Sequence, residues 1–251
     1  MKYVLITGGT SGIGYDLAKK FAEKDYGLII VSANIENLET AKSNLEKEYQ
    51  VTVIIMQQDM SCLGAAENIY RRIKEIGISI SVLVNNAGFG LVGTADKIDF
   101  KQDERMMILN VISATELCKL FLADMYDAKE GKVLNIASTG AFQPGPYTST
   151  YYASKAFVLS FSRAVRYEAK SKGVQVSALC PGATKTRFFE REGIAVPVGA
   201  MSSEKVADIA FKGLMKGKEI IIPGLVNKLL RAVPVKIRMM GIAELKSSAM
   251  S

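Results

Sequence analysis

The stretch Thr7-Gly8-Gly9-Thr10-Ser11-Gly12-Ile13-Gly14 decides how this chain is read. Before it stands a short apolar run over residues 2–6, Lys2-Tyr3-Val4-Leu5-Ile6. After it, Ile13, Leu17, Ala18 and Phe21 recur at helical spacing over residues 13–24. The order is therefore buried strand, glycine turn, amphipathic helix. Gly8, Gly12 and Gly14 form a G-x-x-x-G-x-G pattern in that turn. A turn without side chains lets a pyrophosphate approach the backbone. The helix start behind it offers free N–H groups and a positive dipole end. Close strand–helix packing with no ligand would use the same glycines.

Outward from this turn the alternation continues. Apolar runs at 27–33, 51–56, 81–88, 131–138, 173–182 and 218–224 read as strands. The segments 36–49, 62–76, about 102–127, 151 to about 172, and 203–216 read as helices. Strands that are apolar throughout and separated by helices belong in a parallel sheet covered on both faces. With right-handed crossovers this predicts an α/β fold, a single-domain Rossmann-type doubly wound parallel sheet over 1–251. No repeat or linker interrupts it.

Composition narrows the chemistry. The 251 residues include no His, which excludes Ser-His-Asp, Cys-His and His-ligated zinc machinery within the chain. Any general acid must be Tyr, Lys, Asp, Glu or Cys. Lys and Arg number 32 against 25 Asp and Glu, a net charge of +7 that favours anionic partners. The basic residues are scattered and no aromatic-laced basic stripe occurs, so no nucleic-acid partner is expected. Cys62, Cys118 and Cys180 are odd in number and widely spaced. They read as small apolar residues in a reduced cytoplasm, with no disulfide framework and no metal site. The apolar N-terminal run is too short for a signal peptide, and no window holds the roughly 18 continuous apolar residues of a spanning helix. The expected location is cytoplasmic.

The glycine spacing, with Thr7 before it, resembles the short-chain dehydrogenase/reductase family, and motifs over essentially the whole chain follow that family's order. Asn85-Asn86-Ala87-Gly88 resembles its N-N-A-G. Asp59, followed by Met60, matches the acidic residue that meets the adenine. Asn110, Ser138, Tyr151 and Lys155 match the catalytic set, and Tyr151 and Lys155 form Y-x-x-x-K. Pro181-Gly182, with Thr184 and Thr186, resembles the stretch beside the nicotinamide carboxamide. The resemblance implies a cofactor site built from Gly8, Thr10, Ser11, Gly12, Ile13, Gly14, Ser32, Asn34, Asp59, Met60, Asn86, Ala87, Gly88, Tyr151, Lys155, Pro181, Gly182, Thr184 and Thr186.

The implied activity is an NAD(P)(H)-dependent interconversion of a ketone or aldehyde with an alcohol. The nicotinamide would supply the hydride, since no side chain can. Without His, a tyrosine can exchange the proton near neutral pH only if its pKa of about 10 is lowered, and a nearby positive charge does that. Lys155 lies one helical turn from Tyr151. Tyr152, three residues before Lys155, is equally allowed by spacing alone; the family pattern selects Tyr151. Ser138 would position the carbonyl, and Asn110 would hold a water that relays protons to Lys155. A non-catalytic dinucleotide-binding scaffold or sensor is the alternative on the same fold.

Two departures from the family refine this. The end of the second strand reads Val31-Ser32-Ala33-Asn34-Ile35 and carries neither the Asp that selects NAD nor the Arg that welcomes a 2′-phosphate. With no acid to repel the phosphate and with Ser32 and Asn34 as donors, NADP(H) is favoured and NAD(H) remains open. Phe89-Gly90-Leu91-Val92-Gly93 and Ile220-Ile221-Ile222-Pro223-Gly224 differ from bacterial 3-ketoacyl-carrier-protein reductases. They point to a general oxidoreductase of lipophilic ketones or alcohols. A substrate lid is expected over about 186–201, with Phe188, Phe189, Ile194, Val196 and Met201 as its apolar surface. A mixed basic and apolar arm is expected over about 224–251, broken at Pro234. It would cover the pocket, join a subunit interface or touch a membrane surface. The family's homodimers and homotetramers are built on the two long helices.

Overall fold

The computed structural model describes residues 1–193 and 195–247. Five strands alternate with helices at the N-terminal end and centre of the chain. They are β1 (Tyr3–Thr7), β2 (Gly27–Ser32), β3 (Val53–Gln57), β4 (Ile80–Asn85) and β5 (Gly131–Ile136). With β6 (Val174–Leu179) and β9 (Ile220–Ile221) they form one parallel sheet in the order β3-β2-β1-β4-β5-β6-β9. The strand order reverses beside β1, where the glycine turn emerges, the position at which doubly wound sheets bind ligands.

Successive strand residues point to opposite faces, and each face is covered. On one side Val4, Ile6, Leu28, Ile30 and Leu134 meet α1 (Gly12–Ala22), α2 (Ile35–Tyr49) and α8 (Ser203–Met215) through Leu17, Phe21, Leu38, Leu45 and Leu214. On the other, Leu5, Ile29, Leu83 and Val133 meet α3 (Ala65–Glu75), α5 (Ala114–Ala128) and α6 (Ser149–Lys170) through Ile69, Ile73, Phe121, Met125 and Val165. Burying both faces is why the strands read as unbroken apolar runs.

The helix expected over 102–127 has three parts. α4 (Phe100–Met107) leads into a π-helical segment, Ile108–Ser113, and then α5. Such wider turns occur often at functional sites, and this one contains Asn110. By length and composition alone, Phe100–Ala128 is apolar enough to cross a membrane. Leu117, Cys118, Phe121, Leu122 and Met125 are instead buried against the sheet. Cys118 and Cys180 are buried and their thiols are pushed up to about 12 by burial. Cys62 is exposed, so the packing role expected of it does not apply.

Two small additions sit at the carboxyl edge. β7 (Thr184–Lys185) and β8 (Met201–Ser202) pair in parallel and bracket α7 (Phe188–Arg191). α9 (Leu225–Leu230) and α10 (Val235–Ser247) follow β9 and are separated at Pro234, as its missing donor requires.

Candidate active site

A cavity of about 820 Å³ opens along the carboxyl ends of the strands. Of the expected site residues, all but Gly14 and Asn110 line it. Gly8 (φ +66°) and Gly12 (φ +56°) hold left-handed backbone that other residues resist, and this turns the chain under the cavity floor. Ser11 precedes α1 without a side-chain cap, and no acid lies in the first turn, so the positive helix end faces the cavity unopposed. Gly14 has a different role from the one expected: a Cβ there would collide with the Asn86 amide and the Gly8 carbonyl. It is a packing glycine that seats α1 on the N-N-A-G segment. Asn86 in turn donates to the Thr7 and Gly8 carbonyls, and Thr7 Oγ1 accepts from the Asn86 and Ala87 amides.

At the opposite end of the turn Asn34 caps α2, its Oδ1 accepting from Asn37 N–H at 2.7 Å. Its amide nitrogen remains as a donor, and Ser32, Asn34 and Asn37 share the wall. Asp59 lies further along. Burial pushes its carboxyl up, but Ser61 and Arg105 outweigh that and hold it below the usual range; Arg105 Nη2 donates to it at 2.9 Å. Asn37 and Arg105, which also line the cavity, carry no motif and escaped sequence reading.

Ser138 lies two residues beyond β5, where its Oγ accepts from Gly140 N–H at 3.0 Å, and Tyr151 lies in the first turn of α6. The Ser138 hydroxyl hydrogen-bonds Tyr151. The Phe188 ring packs on Tyr151 at 5.4 Å between centroids. Lys155 Nζ lies 5.8 Å from the Tyr151 ring centroid and donates to the Ile136 carbonyl at 2.9 Å. Burial lowers Lys155 to about 8, so it remains mostly protonated at neutral pH. Tyr151 does not follow the sequence expectation. Its phenol is raised above the ordinary tyrosine value by burial, and then by the negative charge of Glu192, against the Ser138 hydrogen bond. Tyr152 lies 6.0 Å from Tyr151, ring to ring, and packs over Gly140 and Gly145. It also lines the cavity. Tyr147, left open by the sequence, is not among the lining residues; it holds φ +61° in the turn before α6, and its carbonyl accepts from Gly93 N–H.

Asn110 is 2% exposed and its side chain is committed. Oδ1 accepts from Phe89 N–H at 3.3 Å, while Nδ2 donates to the Phe89 carbonyl at 3.0 Å and to Ser154 Oγ at 3.1 Å. Ser154 then donates to the Tyr151 carbonyl. The side chain ties the loop after β4 to the start of α6, so its contribution is to position Tyr151. Gly88 allows this proximity: a Cβ there would come within 2.8 Å of Asn110 Oδ1 and 3.2 Å of Lys155 Nζ.

The lid is less apolar than its sequence implied. Phe188, Phe189 and Val196 line the cavity, while Met201 packs against the main core and Ile194 lies outside the described residues. Between them Glu192 is buried and receives a hydrogen bond from Lys246 of α10 at 2.8 Å, with the two side chains 1% and 8% exposed. Burial raises the Glu192 carboxyl, against the pull of Lys246. A Cβ on Gly90 would come within 2.5 Å of Glu192 Oε1, 3.0 Å of the Phe188 ring and 3.3 Å of the Tyr151 ring. Gly90 is thus the space in which these three groups converge. Nothing local marks Glu192 or Lys246, which are 54 residues apart.

Residues 2–195 match the family model described as short chain dehydrogenase. The chain belongs to the short-chain dehydrogenase family. It is 33% identical over 192 residues to the very-long-chain 3-oxoacyl-CoA reductase of Anas platyrhynchos, covering 74% of this chain and 61% of the relative. It is 32% identical over 194 residues to the 17-beta-hydroxysteroid dehydrogenase type 3 of Homo sapiens, covering 74% and 60%. The chain thus spans about three fifths of the length of these relatives. Among solved structures, a short-chain dehydrogenase from Sphingobium yanoikuyae in complex with NADPH superposes with a TM-score of 0.85 at 29% identity, covering 100% of this chain and 95% of that one. A bulky-bulky ketone specific alcohol dehydrogenase from Comamonas testosteroni gives 0.81 at 28% identity, covering 96% and 94%. The family binds NAD(P)(H), and the open α1 N-terminus, the left-handed glycines and the donor-lined wall at Ser32 fit that group here.

Proposed function

We propose that this short-chain dehydrogenase is an NADP(H)-dependent oxidoreductase that interconverts a lipophilic ketone and its alcohol. One observation carries the reading: Ser138, Tyr151 and Lys155 share a single cavity with the uncapped start of α1, under a lid of aromatic side chains. When bound, the cofactor supplies or accepts the hydride. Ser138 hydrogen-bonds the carbonyl oxygen and holds it beside Tyr151. The Tyr151 phenol, kept protonated at neutral pH by its burial, donates its proton to that oxygen. The Lys155 ammonium then stabilises the phenolate left behind. Phe188 and Phe189 keep water from the carbonyl.

The choice of NADP(H) is supported by Ser32, Asn34 and Asn37 at the ribose end. Of the carboxylates that line the cavity, Asp59 is paired with Arg105 and Glu192 with Lys246. A lipophilic substrate suits the aromatic lid and agrees with relatives named for 3-oxoacyl-CoA and hydroxysteroid chemistry. We further infer a homodimer or homotetramer joined through α4–α5 and α6, where Ile112, Phe157 and Tyr167 are exposed. The buried free thiols suit a reducing cytoplasm.

Calorimetric titration with NADPH and then NADH, followed by a ketone screen with wild type and Tyr151→Phe, tests the reading. The expected result is tighter NADPH binding by both proteins, and a kcat about a hundred- to ten-thousand-fold lower in the variant. Cofactor binding without turnover of any ketone by the wild type would favour the scaffold reading.

A further inference from the structure

The C-terminal arm is packed with its chemistry reversed. Among the described residues of α10, Lys246 alone is buried, and it is held by Glu192. Several large apolar side chains of the same helix face outward, with Val235 46%, Ile237 60% and Met240 61% exposed. α9 has no buried residue, and Leu225, Val226 and Leu229 are each about 70% exposed. An ordinary surface helix shows the opposite pattern. The outward apolar groups lie close together in sequence and exceed the scattered single exposures normal for a protein surface.

Charge narrows what covers this face. Residues 225–247 contain five basic side chains and one acidic one, Glu244. Lys246 is spent on Glu192, Arg238 donates to Gln143, and Arg231 stacks 4.4 Å from the Phe142 ring. Lys228 and Lys236 stand exposed beside the apolar groups. A second copy set against this face would bring like charges together. An anionic lipid surface would accept both the apolar groups and the cations.

We propose that the α9–α10 arm is a docking surface for an anionic membrane, with the Glu192–Lys246 pair fixing the arm to the lid. The arm also roofs the cavity. Leu245 is half exposed yet lines the cavity with Ile242, and Asn227 of α9 sits against Gly182. A docked bilayer is therefore one side chain from the carbonyl pocket, a short path for a lipophilic substrate. That last point rests on the ketone-reductase reading; the docking does not.

Co-sedimentation of the full chain with phosphatidylcholine vesicles, with and without phosphatidylglycerol, tests the docking. The expected result is binding only to the anionic vesicles, weakened by salt. The double variant Lys228→Gln/Lys236→Gln should bind about twenty-five-fold less, at about five-fold per charge. Leu229→Ser/Ile237→Ser should bind less at every salt concentration. Both variants should keep the thermal midpoint and the NADPH affinity of the wild type, which separates a failed docking surface from a failed active site. No sedimentation at low salt, or sedimentation unchanged in both variants, overturns the proposal. So does light scattering that finds an oligomer in the wild type and a monomer in Leu229→Ser/Ile237→Ser, because the face would then belong to a second copy.

Discussion

Tyr151 sits among groups that pull its proton in opposite directions. Lys155 and Tyr152 face it from its own helix, Ser138 from the loop after β5, and Glu192, with Lys246 behind it, from the lid and arm. Burial and Glu192 both favour the neutral phenol. Glu192→Gln removes one of those influences, so the Tyr151 pKa should fall. Alcohol oxidation, which needs the phenolate, should then reach its plateau at lower pH than in wild type, and a kcat–pH profile checks this. Lys155 gives a second titration. Its folded-state pKa of about 8 lies below the unfolded value of 10.5. Between those values the unfolded chain binds more protons, so stability contributed by this site rises with pH; below about 8 the penalty of burying the charge is complete. Lys155→Met should lose that dependence, and its stability advantage over wild type, measured by urea unfolding, should shrink from about pH 7.5 to about pH 9.5. Gly14→Ala should cost about 1–3 kcal/mol, since its Cβ meets the Asn86 amide and a backbone carbonyl that cannot move aside; the same titration reads it.

Between elements, the lid and the arm are joined by one buried ion pair. Breaking such a pair leaves an uncompensated buried charge and costs about 3–5 kcal/mol, whereas removing both charges is close to neutral. Lys246→Met alone should therefore lower the midpoint of thermal unfolding, and Glu192→Gln/Lys246→Met should recover most of it. Gly90→Ala should act on the same junction from beneath. Its Cβ would push on Glu192, Phe188 and Tyr151 together, so KM for a bulky ketone should rise more than NADPH affinity falls. The junction was not legible in advance. The lid looked apolar from Phe188, Phe189, Ile194, Val196 and Met201, and the arm read as mixed basic and apolar, with no sign of which of its cations would turn inward. The pairing of residues 192 and 246 depends on where Pro234 breaks the arm and on how α10 folds back over the strands' carboxyl ends.

Over the whole molecule, cofactor and fold should be linked. A ligand that binds only the folded state adds about 2.7 kcal/mol at a hundred times its dissociation constant. NADPH should thus raise the unfolding midpoint more than NADH at equal concentration, which differential scanning calorimetry can check. The doubly wound sheet was legible in the sequence because both its faces are buried. That forces unbroken apolar strands, and helical periodicity marks what covers them. The glycine turn was legible from its place between a strand and a helix, and Tyr151–Lys155 from one-turn spacing together with the family pattern, since spacing alone also allowed Tyr152. Other features depend on groups far apart in the chain. Asn110 was read from its place in the long helix, whereas its side-chain bonds to Phe89 and Ser154 join segments far apart in the chain. The sign of the shift at Tyr151 depends on Glu192, and the outward apolar face of α10 depends on Lys246 being drawn inward. Local sequence can state which side chains are present and how they repeat. Which charge is buried beside which is settled when the chain closes on itself, because burial and Coulomb interactions act through space and not along the chain.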